Sequence, residues 1–350
     1  MRRKTKAIWI VAGTLIGLFF LLGLGYGKEK PVNGIYTGLL EAFDIKGEKA
    51  VFAYSLKGKV GIYTSDLHGK NVKRLAEAGE GEIVHHPVFS TDGKTVLYIA
   101  TPKDKEEVKS SLYVVNIDGS EKRRLYAIDS LITEAVFAPD NKTIYYLQAE
   151  TFTNYSPIAR RDAHDFDLYS LDVSGGQAKR ITTMKDYRLE SLKVSPDGKE
   201  VYVTKQDDQH AKTAEDIFAS KHKVFRILLA YPEKIEPVPL QGIKEDVFDV
   251  EVSPDSRWMV FNSIANPGTN ENFQYELYIL DRQTNQTRQL TYLKKHAGAA
   301  VFDEQSQWVY FMWDKKFGEG DPEHEWYRVS LDGKTVENIP VVIEGGASLS

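Results

Sequence analysis

The sequence predicts an all-β protein built from repeated four-stranded antiparallel units, preceded by one membrane-crossing helix. Three observations carry this expectation. A basic N-terminus is followed by an uncharged apolar run. A strand–turn–strand pattern centred on Ser-Pro-Asp-Gly then recurs along the rest of the chain. Each recurrence is followed by a second segment with an aromatic residue at a fixed place and a short polar turn.

The N-terminal element comes first. Arg2, Arg3, Lys4 and Lys6 precede a stretch from Ala7 to Gly27 without a charged side chain. About 20 helical residues at ~1.5 Å each span the roughly 30 Å hydrocarbon core of a bilayer. A basic flank stays on the cytoplasmic side, so the remainder is expected outside it. The run exceeds the usual signal-peptide core of about 7–15 residues, which favours an uncleaved anchor. Gly23, Gly25 and Gly27 are small enough for a cleavage site, so a secreted form is the alternative. The expected organisation is an anchor over 1–27, a polar linker over 28–34 and a repeat domain over 35–345.

The repeats follow. HPVFSTDGKTVLYI (86–99), EAVFAPDNKTIYYL (134–147), SLKVSPDGKEVYVT (191–204), DVEVSPDSRWMVFN (249–262) and AAVFDEQSQWVYFM (299–312) align in register. Asp92, Asp140, Asp197 and Asp255 share the turn position, and Gln305 replaces them in the last copy. A degenerate copy upstream, DIKGEKAVFAYS (44–55), aligns Asp44 with Asp92. Before the turn, apolar residues alternate, as in Pro87/Phe89 and Val250/Val252. Pro, Asp and Gly then favour a tight turn. After the turn the apolar positions are consecutive, as in Val96-Leu97-Tyr98, so that strand must be covered on both faces. The second half of each unit places Tyr63, Tyr113, Tyr169, Phe225, Tyr278 and Tyr327 at one position. Four strands per unit, stacked face to face around an axis, give a six-bladed β-propeller. Closing the ring is expected to use 34–40 or 335–343 to complete a shared sheet.

Composition bounds the function. The 350 residues are 42% hydrophobic and 27% charged, a globular mixture. Forty-five basic against 50 acidic residues argue against a nucleic-acid partner. The absence of cysteine excludes a disulfide framework, a thiol nucleophile and Cys-held metals.

The SPDG-type turn, the LYxxDxxGG segment and the RLT-like ends, such as Arg74-Leu75 and Arg124-Leu125, resemble the repeat of TolB-like six-bladed propellers. The same repeat occurs in propeller domains of prolyl-oligopeptidase-type enzymes. The resemblance covers roughly Asp44 to Pro340 and implies the fold, which serves many tasks.

Candidate site residues follow from the unit. The connections 101–110, 149–166, 205–223, 263–274 and 313–325 are long and emerge on one face, where binding usually resides. His86, Glu134, Ser191 and Asp249 share the start of the innermost strand, and the first, second and fourth of them are candidates at the channel mouth, either for a divalent ion or as plain polar strand ends. Lys193 and Glu251 share a position in adjacent units and either pair across the interface or meet a ligand. Arg160 and Arg161 lie in a charged loop that suits an anion, and Trp313 stands beside acidic residues where it can stack on a sugar or a cation. No GxSxG elbow or HExxH spacing occurs, and about ten residues follow the last copy, which leaves no room there for a peptidase domain. The sequence therefore names no catalytic residue, metal or cofactor. It favours a non-enzymatic, membrane-anchored extracytoplasmic platform for an envelope protein, a peptide or a cell-wall glycan. The alternative is a propeller lyase or hydrolase with a His/carboxylate or metal site at the channel mouth.

Overall fold

A computed structural model describes residues 37–104, 108–154, 161–269 and 272–343. The expected anchor over 1–27 and linker over 28–34 lie outside the described residues. No helix among the described residues is long and apolar enough to cross a membrane.

The described chain is all-β. The first unit comprises β1 (Gly38–Lys46), β2 (Lys49–Leu56), β3 (Lys59–Asp66) and β4 (Lys73–Glu77). The second comprises β5 (Glu82–Phe89), β6 (Thr95–Pro102), β7 (Ser110–Asn116) and β8 (Arg123–Ile128). The third comprises β9 (Ile132–Phe137), β10 (Thr143–Asn154), β11 (Arg161–Asp172) and β12 (Lys179–Arg180). The fourth holds β13 (Glu190–Val194), β14 (Glu200–Gln206), β15 (His222–Leu228) and β16 (Tyr231–Pro237), with the short helix α1 (Ala214–Ala219) between its second and third strands. The fifth comprises β17 (Val247–Val252), β18 (Trp258–Ile264), β19 (Tyr275–Asp281) and β20 (Gln286–Gln289). The last comprises β21 (His296–Phe302), β22 (Trp308–Asp314), β23 (His324–Ser330) and β24 (Val336–Ile339). Within every unit the strands pair antiparallel in sequence order.

Local chemistry explains the turns. Ser90 Oγ donates to Asp92 at 2.7 Å while accepting from Thr95 N at 3.0 Å, and Ser195 and Asp197 repeat the contact at 2.7 Å. The fourth turn residue adopts a left-handed backbone at Gly93, Asn141, Gly198, Ser256 and Ser306, with φ of 69°, 54°, 71°, 60° and 53°. Glycine accepts that geometry freely, and Asn does so through local hydrogen bonding. In the last unit Asp303 stands where other copies carry Ser or Ala. Its carboxylate accepts from Gln307 N at 2.6 Å and Trp308 N at 2.9 Å, so it takes over the role of the Asp that Gln305 replaces.

The degenerate first copy is corrected by the structure. Asp44 lies inside β1, and the turn is made by Gly47 at φ 56°. Two further differences concern the long connections. Much of 149–166 is a two-stranded extension of β10 and β11, paired out to Asn154 and Arg161. Part of 205–223 is α1, capped by Thr213 in a reciprocal capping box with Asp216.

The second strand of each unit is buried on both faces, as with Val96, Leu97, Tyr98 and Ile99. Each consecutive pair of sheets shares one apolar cluster. Leu39, Phe43 and Tyr63 of the first unit share another with Tyr310, Trp326 and Ile339 of the last. Each innermost strand touches the next, and β21 touches β1, so these strands surround an axis. Of the segments expected to complete a shared sheet at the closure, 335–343 supplies β24, the outer strand of the last unit, 38–40 belongs to β1, which meets β23 at one bridge, and 34–36 lies outside the described residues. The seam is held by packing, by the Leu39–His324 bridge and by Gly69, whose left-handed backbone (φ 71°) abuts the Pro340 carbonyl.

Candidate active site at the channel mouth

The innermost strands are not regular. Their registers slip at Leu39/Phe43, His85/Val88, Glu190/Lys193, Phe248/Glu251 and Gly298/Val301. β9 is irregular opposite Leu147/Gln148. His86, Ser191, Asp249 and Ala299 take φ of 51°, 58°, 50° and 49° at the bulges. A bulge re-aims side chains and breaks alternation. It therefore controls what each inner strand presents to the axis.

The deeper layer of the channel holds Asp44, His86, Glu134, Lys193 and Glu251. Lys193 Nζ meets Glu251 Oε2 at 2.6 Å across the fourth and fifth units, so the pair expected from their shared repeat position forms. Burial alone would lower the Lys193 pKa. The charges of Glu251, Asp44 and Glu134 outweigh it and leave the ammonium raised. Burial pushes the Asp44 carboxyl up to about 6, against the pull of Lys193 and the Phe89 N–H, which donates to Oδ2 at 2.7 Å. Burial likewise pushes His86 down to about 3 and His85 down to about 4, so both rings are neutral at physiological pH.

Glu134 is a clip between sheets. Its two oxygens accept from Ser191 N and Leu192 N, each at 2.7 Å. Burial pushes its pKa up to about 7 despite those two donors. Asp249 links the fifth and last units, its Oδ2 accepting from Ala299 N at 3.2 Å and from Asn262 Nδ2 of its own sheet at 3.0 Å.

The upper layer lies on the loop-rich face. Asp249 is pushed up to about 6 by burial and by the facing Glu41, against the pull of His296. Gly298 makes room for this group. A Cβ there would stand 2.7 Å from Asp249 Oδ2, 2.9 Å from His296 Cε1 and 3.1 Å from Asn262 Nδ2. Asp249 and His296 therefore lie side by side. Glu190 is also raised by burial, offset by Arg188 and His222 and reinforced by Glu41. A run of rings borders the group: His222–Phe248 at 5.1 Å, Phe248–Tyr275 at 6.1 Å, Tyr275–His296 at 5.2 Å and His296–Phe317 at 4.9 Å. A carboxyl that titrates near pH 6 beside an imidazole can exchange protons under ordinary conditions.

The remaining sequence candidates lie elsewhere. Arg160 is outside the described residues. Arg161 stands at the end of the β10–β11 ribbon, its guanidinium 4.4 Å from the Phe152 ring centre and its Nε donating to Phe152 O at 3.1 Å. Trp313 belongs to β22 rather than to a loop. It is half-buried against the cluster between the fifth and last units, edge-on to Tyr327 at 5.6 Å. His86, Glu134 and Asp249 sit on different interfaces. Among the described residues no three His, Cys, Asp or Glu side chains are grouped to hold a metal.

Sequence reasoning missed Asp44, Glu190, Asn262 and His296 as members of the channel. It also missed Asp167 and Glu276, two residues before the repeated Tyr. Asp167 accepts from Thr182 Oγ1 at 2.7 Å and Glu276 from Thr291 Oγ1 at 2.6 Å, tying each link to its sheet. The sequence signal was present: a carboxylate directly before Leu-Tyr in both copies.

No protein-family model matches the chain. Among curated proteins it is similar to dipeptidyl-peptidase 5 of Arthroderma otae, 29% identical over 211 residues, covering 53% of this chain and 28% of that protein. It is also similar to the uncharacterized peptidase YuxL of Bacillus subtilis, 20% identical over 221 residues, covering 56% and 32%. The chain thus spans about a third or less of the curated relatives it matches. Among solved structures it superposes on TolB from Acinetobacter baumannii with TM-score 0.60 and 18% identity, covering 80% of this chain and 59% of that one. A prolyl endopeptidase gives TM-score 0.55 and 15% identity, covering 95% and 54%. The expectation of a non-enzymatic platform is corrected by these findings, because the curated relatives are named as peptidases. The absence of local catalytic motifs does not argue against an enzyme in this fold, because a propeller assembles its channel from residues some 50 positions apart, as Asp249 and Ala299 are. The fold is a TolB-like β-propeller.

Proposed function

We propose that this chain is the six-bladed propeller of an enzyme acting on peptides, and that the substrate meets it at the loop-rich channel mouth. The observation that carries the reading is the Asp249–Asn262–His296 group, where Gly298 leaves room for a carboxyl and an imidazole to stand together. The peptidase names of the curated relatives support the choice of peptides. In this reading Asp249 and His296 exchange protons with the substrate, and the ring run from His222 to Phe317 receives its apolar parts. The apolar segment from Ala7 to Gly27 anchors the chain, with the propeller outside the cytoplasm; protease accessibility in intact and lysed cells tests that placement.

The test of activity uses the full chain and a pool of proteome-derived peptides read by mass spectrometry. New termini are expected with the wild type, and at least tenfold fewer with Asp249→Asn of unchanged circular dichroism. If the wild type neither cleaves nor retains any peptide, the proposal is wrong.

A further inference from the structure

A cavity of about 60 Å³ opens between the third and fourth units on the loop-rich face. It arises from three local events. The irregularity in β9 leaves Thr133 unpaired in the ladder. The β11 arm of the β10–β11 ribbon brings Asp162, Ala163 and Phe166 over it. The link before β13 closes the other side with Tyr187, Arg188 and Leu189.

Its walls are of two kinds. Leu131, Ala163, Phe166 and Leu189 are apolar, and three of the four are more than nine-tenths buried. At the rim Arg188 Nε meets Glu190 Oε1 at 2.5 Å. The Glu190 side chain is 8% exposed and that of Arg188 36%. Glu190 also faces Glu41 and His222, so this cavity adjoins the channel mouth. A guanidinium next to a carboxylate offers a donor edge and an acceptor edge with no net charge. That is the complement of a peptide group, whose C=O accepts and whose N–H donates. At about 60 Å³ the space is well under the ~150 Å³ of an apolar cavity that takes benzene, so it suits a small side chain better than an aromatic ring.

We propose that this cavity is a side-chain subsite selecting a small uncharged residue of an extended peptide, with Arg188 and Glu190 engaging the adjoining peptide group. The inference rests on the peptide-acting reading above and adds a specificity to it. Ala163 and Leu131 both line the cavity, so the size of either side chain changes what it admits.

The test measures dissociation constants by NMR titration of the full chain with acetyl-Gly-Xaa-Gly-Gly amides, where Xaa is Gly, Ala, Thr or Phe. Ala and Thr peptides are expected to bind at least tenfold tighter than the Phe peptide. Ala163→Val is expected to weaken the Thr peptide about tenfold and leave the Gly peptide unchanged. Leu131→Ala is expected to bring the Phe peptide to within about threefold of Ala, a gain that misfolding cannot produce. Arg188→Gln weakens all four alike. Peptides that bind without size preference, or a Leu131→Ala variant that gains nothing for Phe, overturn the subsite and leave the peptide-acting reading standing. No binding by any peptide overturns both.

Discussion

Replacing Glu134 by glutamine converts a structural clip into a pH experiment. Glu134 is 5% exposed, and its pKa is pushed up to about 7 from an ordinary value of 4.5, with burial as the main cause. A carboxyl whose folded pKa lies above its unfolded one keeps its proton longer when folded. Its stabilising contribution is complete below about pH 4.5 and is lost as pH rises through about 7. Between pH 5 and pH 8 the two titration curves differ by about 1.8 proton-decades, or about 2.5 kcal/mol at ~1.36 kcal/mol each. The substituted amide does not titrate, and it keeps the volume and one acceptor for Ser191 N or Leu192 N. For a disc of about 300 residues, an unfolding entropy of ~2.1 cal/mol/K per residue converts about 2.5 kcal/mol to about 4 °C. The assay is differential scanning calorimetry of both proteins at pH 5, 6, 7 and 8. The Tm of Glu134→Gln minus that of the wild type is expected to rise by about 4 °C across the range. Asp44, Asp249 and Glu190 also titrate upward, but they are common to both proteins and cancel in the difference. A Tm difference that stays flat, or falls with pH, refutes the assignment of a buried, destabilised charge to this clip.

Two other expectations are simpler. Gly69→Ala forces a Cβ onto the Pro340 carbonyl at a left-handed backbone position, so it should lower Tm by several degrees and raise hydrogen exchange in β1 and β24 before other strands; uniform exchange would refute a local seam effect. The Tyr98 hydroxyl is buried without a hydrogen-bond partner, so Tyr98→Phe should leave stability unchanged or raise it by about 1 kcal/mol in urea unfolding, and a loss above that size would show a hidden partner.

The strand order and the turn positions were legible because they depend on local chemistry. Val96-Leu97-Tyr98 could only be a strand covered on both faces, and Asp140 or Asp197 could only sit at a tight turn. The Lys193–Glu251 pair was legible too, since equal repeat positions in adjacent sheets face one another. The mouth was not. His86 carries a left-handed backbone where the register of β5 slips, so regular strand alternation does not say which way its ring points. Asp44 read as a turn residue because its neighbours matched the copy, and the pairing of Ile45 with Ala50 and Lys46 with Lys49 shows that the strand runs past it. Trp313 read as a loop residue because acidic residues follow it, but the ladder with β23 extends through Asp314. His296 and Asp249 carry no mutual spacing signal, since their meeting depends on a missing Cβ at Gly298.

The closure of the ring by apolar packing and a few backbone contacts has a consequence for how the chain is threaded. Because every sheet is made of its own consecutive strands, the order of the units is a matter of covalent continuity and not of interlocking. Leu39 and Ile343 belong to the same apolar cluster, so the two ends of the described chain stand at one gap. A permuted polypeptide with those ends joined and a new opening cut in the short turn between Gly119 and Ser120 would keep every ladder intact, moving the gap without disturbing a single sheet.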